Sequence, residues 1–167
     1  MPIQSKTILK TSEGSFVVRF HEIENKGYIS FSKGDLSQEI PIVRLQSGCL
    51  FGEAFGSLEC DCGQQLKAAL QTINAHTNGV VVYSYTEGRG VGLEKKIEAM
   101  EIQRTEGCDS REAFVRLGFD RDDYRDYRAE IEVLRELMVP MDVILLSENK
   151  KRRAALERAG FTLHPHE

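Results

Sequence analysis

A run of about eighteen apolar residues, the length a membrane-crossing helix needs, occurs nowhere in the 167-residue chain, so no membrane partner is expected. The first residues lack the charged-then-apolar pattern of a secretory leader, and a cytoplasmic setting is the expectation. Cysteine is scarce: the four present fall into one cluster and one outlier, which does not make a secreted disulfide framework. An excess of positive charge is also missing. With 22 Lys and Arg against 26 Asp and Glu, the formal net charge is -4, and nucleic-acid binding needs a basic face to displace counterions. A small anionic substrate needs only a local cluster, for which Arg44, Arg89, Lys95, Lys96, Arg125 and Lys150-Lys151-Arg152-Arg153 are candidates. Internal repeats, low-complexity tracts and linkers are absent, so residues 1–167 are expected to form one domain with a core that needs no staples.

What is present reads as α/β. Between residues 5 and 47, the runs Ser15–Phe20, Gly27–Phe31 and Ile40–Leu45 alternate with turn residues, predicting an N-terminal antiparallel β meander. Leu66, Ala69, Leu70 and Ile73 follow helical spacing, with a stop near Asn78-Gly79. Gly79–Tyr85 is a near-continuous apolar run, as in a strand covered on both faces. A second helix opens at Leu93, with Leu93, Ile97 and Met100 as its apolar face, so Met100 taken alone is a core residue. Ser110 reads as the N-cap of a short helix ending at Gly118, and Ile131, Leu134 and Leu137 mark another helix. Asp142–Leu146 is a further strand, followed by a basic helix over about residues 150–159. Strands alternating with helices imply that the second part is a mixed, largely parallel sheet with flanking helices. His21 is expected to be exposed or hydrogen-bonded, and His164 and His166 to lie in a mobile terminal tail.

Three stretches carry chemistry. Cys49, Cys60 and Cys62 fall within fourteen residues, and in an extended segment Cys60 and Cys62 point to one side. Three readings are open: a catalytic metal with a vacant position, a structural site completed by a distant histidine or Cys108, and three unconnected thiols. Thr86-Glu87-Gly88-Arg89-Gly90-Val91-Gly92 lies between a strand and a helix, where backbone N–H groups can approach a phosphate. It matches neither the P-loop nor the dinucleotide-binding pattern. Asp123-Tyr124-Arg125-Asp126-Tyr127 is either a solvated charge run or a phosphate-facing guanidinium with an oriented carboxylate.

Together these residues resemble the GTP cyclohydrolase II family over about residues 40–160. The resemblance rests on Arg44-Leu45-Gln46-Ser47-Gly48-Cys49, on Cys60-Asp61-Cys62-Gly63 with Gln65, on Glu87-Gly88-Arg89-Gly90-Val91-Gly92-Leu93, and on Asp123-Tyr124-Arg125-Asp126-Tyr127. It implies one zinc on Cys49, Cys60 and Cys62, whose water attacks guanine C8 of GTP or a related purine nucleotide. It further implies Arg125 acting on the α-phosphate, as nucleophile or electrostatic clamp, with Asp123 as proton acceptor. Arg44, Ser47, Gln65, Glu87, Gly88, Arg89, Ser110, Ser147 and Lys151 or Arg152 would line the nucleotide site, with Mg2+ at the diphosphate. A homodimer is the family's usual state. Three thiolates make a zinc centre net negative, so a nearby base or cation must help its water ionise.

The departures from the family pattern are specific. Met100 aligns with a tyrosine that would reach the reaction, which predicts ring opening with the formyl group partly or wholly retained. Gln46 replaces a histidine and Gly48 a glutamate. Ser147-Glu148-Asn149-Lys150-Lys151-Arg152 replaces a Thr-Asn-Asn-Pro-x-Lys stretch. Two alternatives to an enzyme are a catalytically silent nucleotide-binding paralogue and a zinc-stabilised interaction module.

Overall fold

A computed structural model describes residues 5–166. Strands β1 (Lys6–Thr11), β2 (Gly14–Ile23) and β3 (Lys26–Lys33) form antiparallel hairpins. In β3 the buried residues are Tyr28, Ser30 and Ser32, the alternation of a strand with one face covered. Buried His21 joins this sheet to the helices, with Nε2 2.8 Å from Ser30 Oγ and Nδ1 2.7 Å from Glu136 Oε2.

The expected next strand of the meander lies elsewhere. The chain forms β4 (Ile42–Ser47), β5 (Gly79–Ser84), β6 (Asp142–Leu145) and β7 (Thr162–His164), in the sheet order β1-β2-β3-β5-β4-β6-β7. β4 runs parallel to both β5 and β6, and the antiparallel partner of β3 is β5. The reason is burial: β4 is covered along almost its whole length, which suits the middle of a sheet flanked by helices. Helices α1 (Leu50–Ala54) and α2 (Cys62–His76) supply the crossover a parallel neighbour requires. At the other edge, the expected mobile tail instead contributes β7, parallel to β6, with His164 Nε2 2.7 Å from Asp142 Oδ1.

Alternation along the central strands sorts their side chains. Val43, Leu45, Val80 and Val82 face helices α5 (Arg128–Glu136) and α6 (Lys150–Arg158), packing with Ile131, Leu134 and Leu156. Ile42 and Val81 face α2, packing with Ala69 and Ile73. Arg44 and Gln46 share the α2 side of β4, while Ser47 points the other way. The predicted α2 face holds, but the helix stops at Thr77, which adopts a left-handed φ of 64°.

Helices α3 (Leu93–Glu106) and α4 (Ser110–Arg116) carry a separate small core around Ala99, Ala113 and Phe114. Asp109, rather than Ser110, caps α4: its side chain accepts from Glu112 N, and Glu112 reciprocates. The predicted apolar stripe of α3 is not its buried face, because Ile97 is 49% exposed. Instead the spacing Lys96, Ala99, Met100, Gln103 turns toward a cleft, so Met100 is not a core residue. Among the described residues no helix is long and apolar enough to cross a membrane.

Ile73 is fully buried between α2 and the sheet. Ile73→Ala is expected to destabilise the fold by about 2–5 kcal/mol, read as a lower urea midpoint with an unchanged slope.

Candidate active site

Cys49 lies two residues beyond β4, and Cys62 opens α2, so one crossover brings all three cysteines of the cluster back to the carboxyl end of the parallel strands. Their sulfurs lie within 4.8 Å of one another, Cys49 and Cys60 at 3.6 Å. Gly52 makes the room. A Cβ there would stand 2.7 Å from Cys60 Sγ and 3.3 Å from Cys49 Sγ, so a side chain would collide with the cluster. Among the described residues no histidine or carboxylate joins the trio, and Cys108 sits in the α3–α4 core. The three thiols are thus not scattered, and neither a histidine nor Cys108 stands beside them among the described residues. The donor set suits a thiophilic divalent ion with a position open to the cleft, whose volume is about 660 Å³.

The electrostatics agree with that fit. Burial, and then the other two sulfurs, push the Cys62 thiol up to about 12. Burial would raise Cys49 too, but the Gly52 N–H and the Lys96 ammonium outweigh it and hold the thiol below its ordinary range. The three sulfurs cannot comfortably share charge with one another; a cation between them removes the conflict.

The glycine turn and the Asp123 loop close the cleft from another side. Tyr124 N donates to Arg89 O at 2.8 Å, and Arg89 Nη1 reaches Asp122 Oδ2 at 3.2 Å. Gly88, Arg89, Met100 and Ser110 line the cleft.

 Ser47 and Arg125 thus border the same cavity as the three sulfurs.

Arg125 and Asp123 form a two-pronged pair. Nε and Nη2 of Arg125 donate to Asp123 Oδ1 and Oδ2 at 2.9 and 2.8 Å, and Nη1 donates to Ser47 Oγ at 3.3 Å. Burial would raise the Asp123 carboxyl, but these bonds outweigh it and hold the group below the usual carboxylate range. Burial would likewise lower Arg125, and Asp123 outweighs that in turn.

Behind this pair stand two more guanidinium groups that only neutral acceptors hold. Arg44 donates to Gln46 Oε1, Gln65 Oε1 and Leu146 O at 2.8–3.1 Å. Arg152 donates to Ser147 Oγ at 2.9 Å, lies 5.2 Å over the Tyr127 ring, and keeps its Nε buried without a partner among the described residues. Burial, then repulsion from Arg152, lowers Arg44 to about 10. Lys151 donates to Asp123 O at 3.0 Å.

The structure therefore brings the three cysteines, Ser47, Glu87, Gly88, Arg89, Met100, Ser110 and Arg125 to one cleft. Arg44, Gln65, Asp123, Ser147, Lys151 and Arg152 stand behind its lining. Glu87, expected to face the nucleotide, has both oxygens engaged: Oε1 by Lys96 Nζ at 2.6 Å and Oε2 by Leu50 N at 2.8 Å. Sequence reasoning counted Lys96 only among general basic residues, although its place one helical turn before Met100 is a signal for the same face. Glu53 was missed too. It accepts from Gln46 Nε2 at 2.8 Å and Tyr83 Oη at 2.6 Å.

These features define a mixed α/β domain with a three-sulfur centre in a cleft at the carboxyl end of its parallel strands and two buried guanidinium groups behind it. The family model for GTP cyclohydrolase II matches residues 3–165. The chain belongs to the GTP cyclohydrolase II family. It is 40% identical over 159 residues to the riboflavin biosynthesis protein RibBA of Bacillus subtilis (strain 168), covering 93% of this chain and 39% of that one. The RibBA of Phocaeicola vulgatus is 41% identical over 137 residues, covering 81% and 33%. The chain thus spans about two-fifths or less of these curated relatives. Among solved structures, RibBX, a two-domain 3,4-dihydroxy-2-butanone 4-phosphate synthase from A. baumannii, shares the fold. The TM-score is 0.51 at 21% identity, over 97% of this chain and 38% of that one.

Because Asp123 is depressed in the folded state, its pair with Arg125 contributes stability that is fully present above the unfolded carboxylate pKa of about 3.9. That contribution is lost as pH falls through the lower folded value. Asp123→Asn is expected to lower the urea midpoint at neutral pH, and the gap to the unmodified protein should narrow on acidification. A gap independent of pH would show that the pair does not act this way.

Proposed function

We propose that the chain hydrolytically opens the guanine imidazole ring of GTP and releases diphosphate, giving a ribosylaminopyrimidine 5′-phosphate that keeps the formyl carbon, partly or wholly, as a formamide. The observation that carries this is that Arg125 lines one cleft with the three sulfurs, with the buried guanidinium groups of Arg44 and Arg152 behind that lining. Two buried guanidinium groups held only by neutral acceptors favour an anion such as the nucleotide phosphates. Family membership and the relatives' name support GTP and a riboflavin-type pathway; a secondary pathway using a related nucleotide is the alternative.

Zinc, held by Cys49, Cys60 and Cys62, would supply a Lewis acid at the cleft wall, and Mg2+ would accompany the diphosphate. Ring opening adds one water at C8 and breaks the C8–N9 bond, leaving the formyl group on the former N7. A second water breaks the α–β phosphoanhydride. Arg125 serves there as an electrostatic clamp: its guanidinium is held protonated by Asp123 and so has no free lone pair for attack. Asp123 holds that clamp in place, and it can take a proton only once the two-pronged pair opens. Met100 offers the cleft a thioether where a phenol would donate or accept a proton, so the deformylation that needs a further water lacks a positioned group. A homodimer in the cytoplasm completes the proposal, on family likeness alone.

Mass analysis of the products from protein loaded with zinc and Mg2+ tests the whole. Diphosphate and a formamide-bearing pyrimidine are expected; formate equal to the GTP consumed would overturn retention, and GTP binding without turnover would favour the silent paralogue. Met100→Tyr is expected to raise formate release by about 10²–10⁴-fold, the range for a positioned acid or base. Arg152→Gln removes a charge-assisted contact and is expected to raise KM for GTP by about 10- to 100-fold.

A further inference from the structure

A divalent ion on three thiolates carries a net negative charge, which blunts its power to polarise an oxygen ligand. The structure contains a cation aimed at that centre. Lys96 Nζ lies 3.1 Å from Cys49 Sγ and 2.6 Å from Glu87 Oε1, its side chain only 20% exposed. The second Glu87 oxygen accepts from Leu50 N, the backbone next to Cys49. The aromatic ring of Phe51 lies 5.1 Å from the ammonium. Three contacts from two segments, the Cys49–Phe51 stretch and the glycine turn, therefore fix one lysine against one sulfur.

We propose that Lys96 is the positioning residue that sets the Lewis acidity of the metal centre, by donating a charge-assisted hydrogen bond to the Cys49 thiolate. Glu87 is its tether rather than a substrate contact. The proposal rests on the reading that the cysteine trio holds a divalent metal. A hydrogen bond to a coordinated sulfur draws electron density from it and weakens its donation to the ion, so the ion keeps more of its charge for an oxygen ligand. An ordinary structural ion pair would not need the sulfur. Lys96 and Glu87 alone would satisfy one another at the surface, where such pairs contribute little; here both are largely buried and the ammonium also serves Cys49. Helix α3 then presents, one turn further along the same face, the Met100 side chain to the cleft. One helix thus brings both the sulfur's counter-charge and the Met100 thioether to the cleft.

Cobalt(II) reports on the sulfurs directly, through thiolate-to-metal charge-transfer bands. The intact protein, Lys96→Met, Lys96→Arg and Glu87→Gln are each loaded with Co2+ and their absorption spectra recorded, with circular dichroism to check the fold. The Lys96→Met band is expected at longer wavelength than that of the unmodified protein, because a thiolate without its hydrogen bond is easier to oxidise. Lys96→Arg should fall nearer the original position. With zinc, kcat for Lys96→Met should drop by about 10- to 100-fold, the cost of losing an outer-shell partner, with KM for GTP unchanged. Should Lys96→Met not fold, Lys96→Gln carries the same comparison. Identical spectra in the unmodified and Lys96-substituted proteins would overturn the role of Lys96 while leaving the metal centre intact. Failure of the unmodified protein to show any thiolate charge-transfer band would instead overturn the metal centre itself.

Discussion

A central strand covered on both faces has no water to spare for a charge, and β4 nevertheless carries Arg44. Burying a guanidinium without a carboxylate is costly unless hydrogen bonds and a partner of opposite sign compensate it. Here Gln46, Gln65 and Leu146 O satisfy the hydrogen bonds but not the charge. Arg152 repeats the situation from α6, with the Ser147 hydroxyl and the Tyr127 ring as its neighbours. Burial, and then the repulsion between the two groups, lowers Arg44 to about 10. The conflict is held in place by a strand buried along almost its whole length, and an anion in the adjoining cleft would relieve it.

The same logic with opposite sign governs the cysteines. Three thiols crowded behind Gly52 resist losing their protons together, and a cation between them would relieve that conflict as an anion would relieve the arginines'. Asp123 and Glu87 prevent the two regions from neutralising each other. Asp123 engages Arg125, and Glu87 engages Lys96. Each carboxylate fixes a cation in direction without being free to reach across the cleft. The nucleotide of the proposed reaction, with a negative triphosphate at one end and an electrophilic ring carbon at the other, would match that separation of charge.

The parts of this arrangement legible in the sequence were those encoded by close spacing. Cys60 and Cys62 are two residues apart, Gly88, Gly90 and Gly92 likewise, and Asp123 and Arg125 likewise, so each pair announces itself locally. Partnerships across the sheet did not. Alternation of apolar and turn residues places β4 in the meander but does not reveal whether a strand's neighbour is parallel; only the crossover through α2 decides that. In α3 the apolar residues Leu93 and Ile97 suggested the wrong inner face, since Ala99 packs against the small α3–α4 core instead. Lys96 was obscured for a related reason. A lysine on a charged helix reads as solvated until the fold shows which sulfur lies beside it.

The departures from the family pattern become connected once the neighbours are known. Gln46 uses its one amide twice, accepting from Arg44 through Oε1 while donating to Glu53 through Nε2. An amide performs both tasks at once and does not titrate, so the link between the arginine and the carboxylate is insensitive to pH near neutrality; an imidazole in that place would not be. Glu53 also accepts from Tyr83, whose phenol is pushed above its ordinary range by burial and then by Glu53 itself. Gly48 completes the set, because a Cβ there would stand 2.8 Å from Tyr83 Oη. A glutamate at position 48 would therefore displace the phenol or place a second carboxylate beside Glu53. Glycine at 48 and glutamine at 46 thus belong to a single solution, in which one carboxylate, held by a phenol and an amide, supports the strand that carries Arg44 and leads to Cys49.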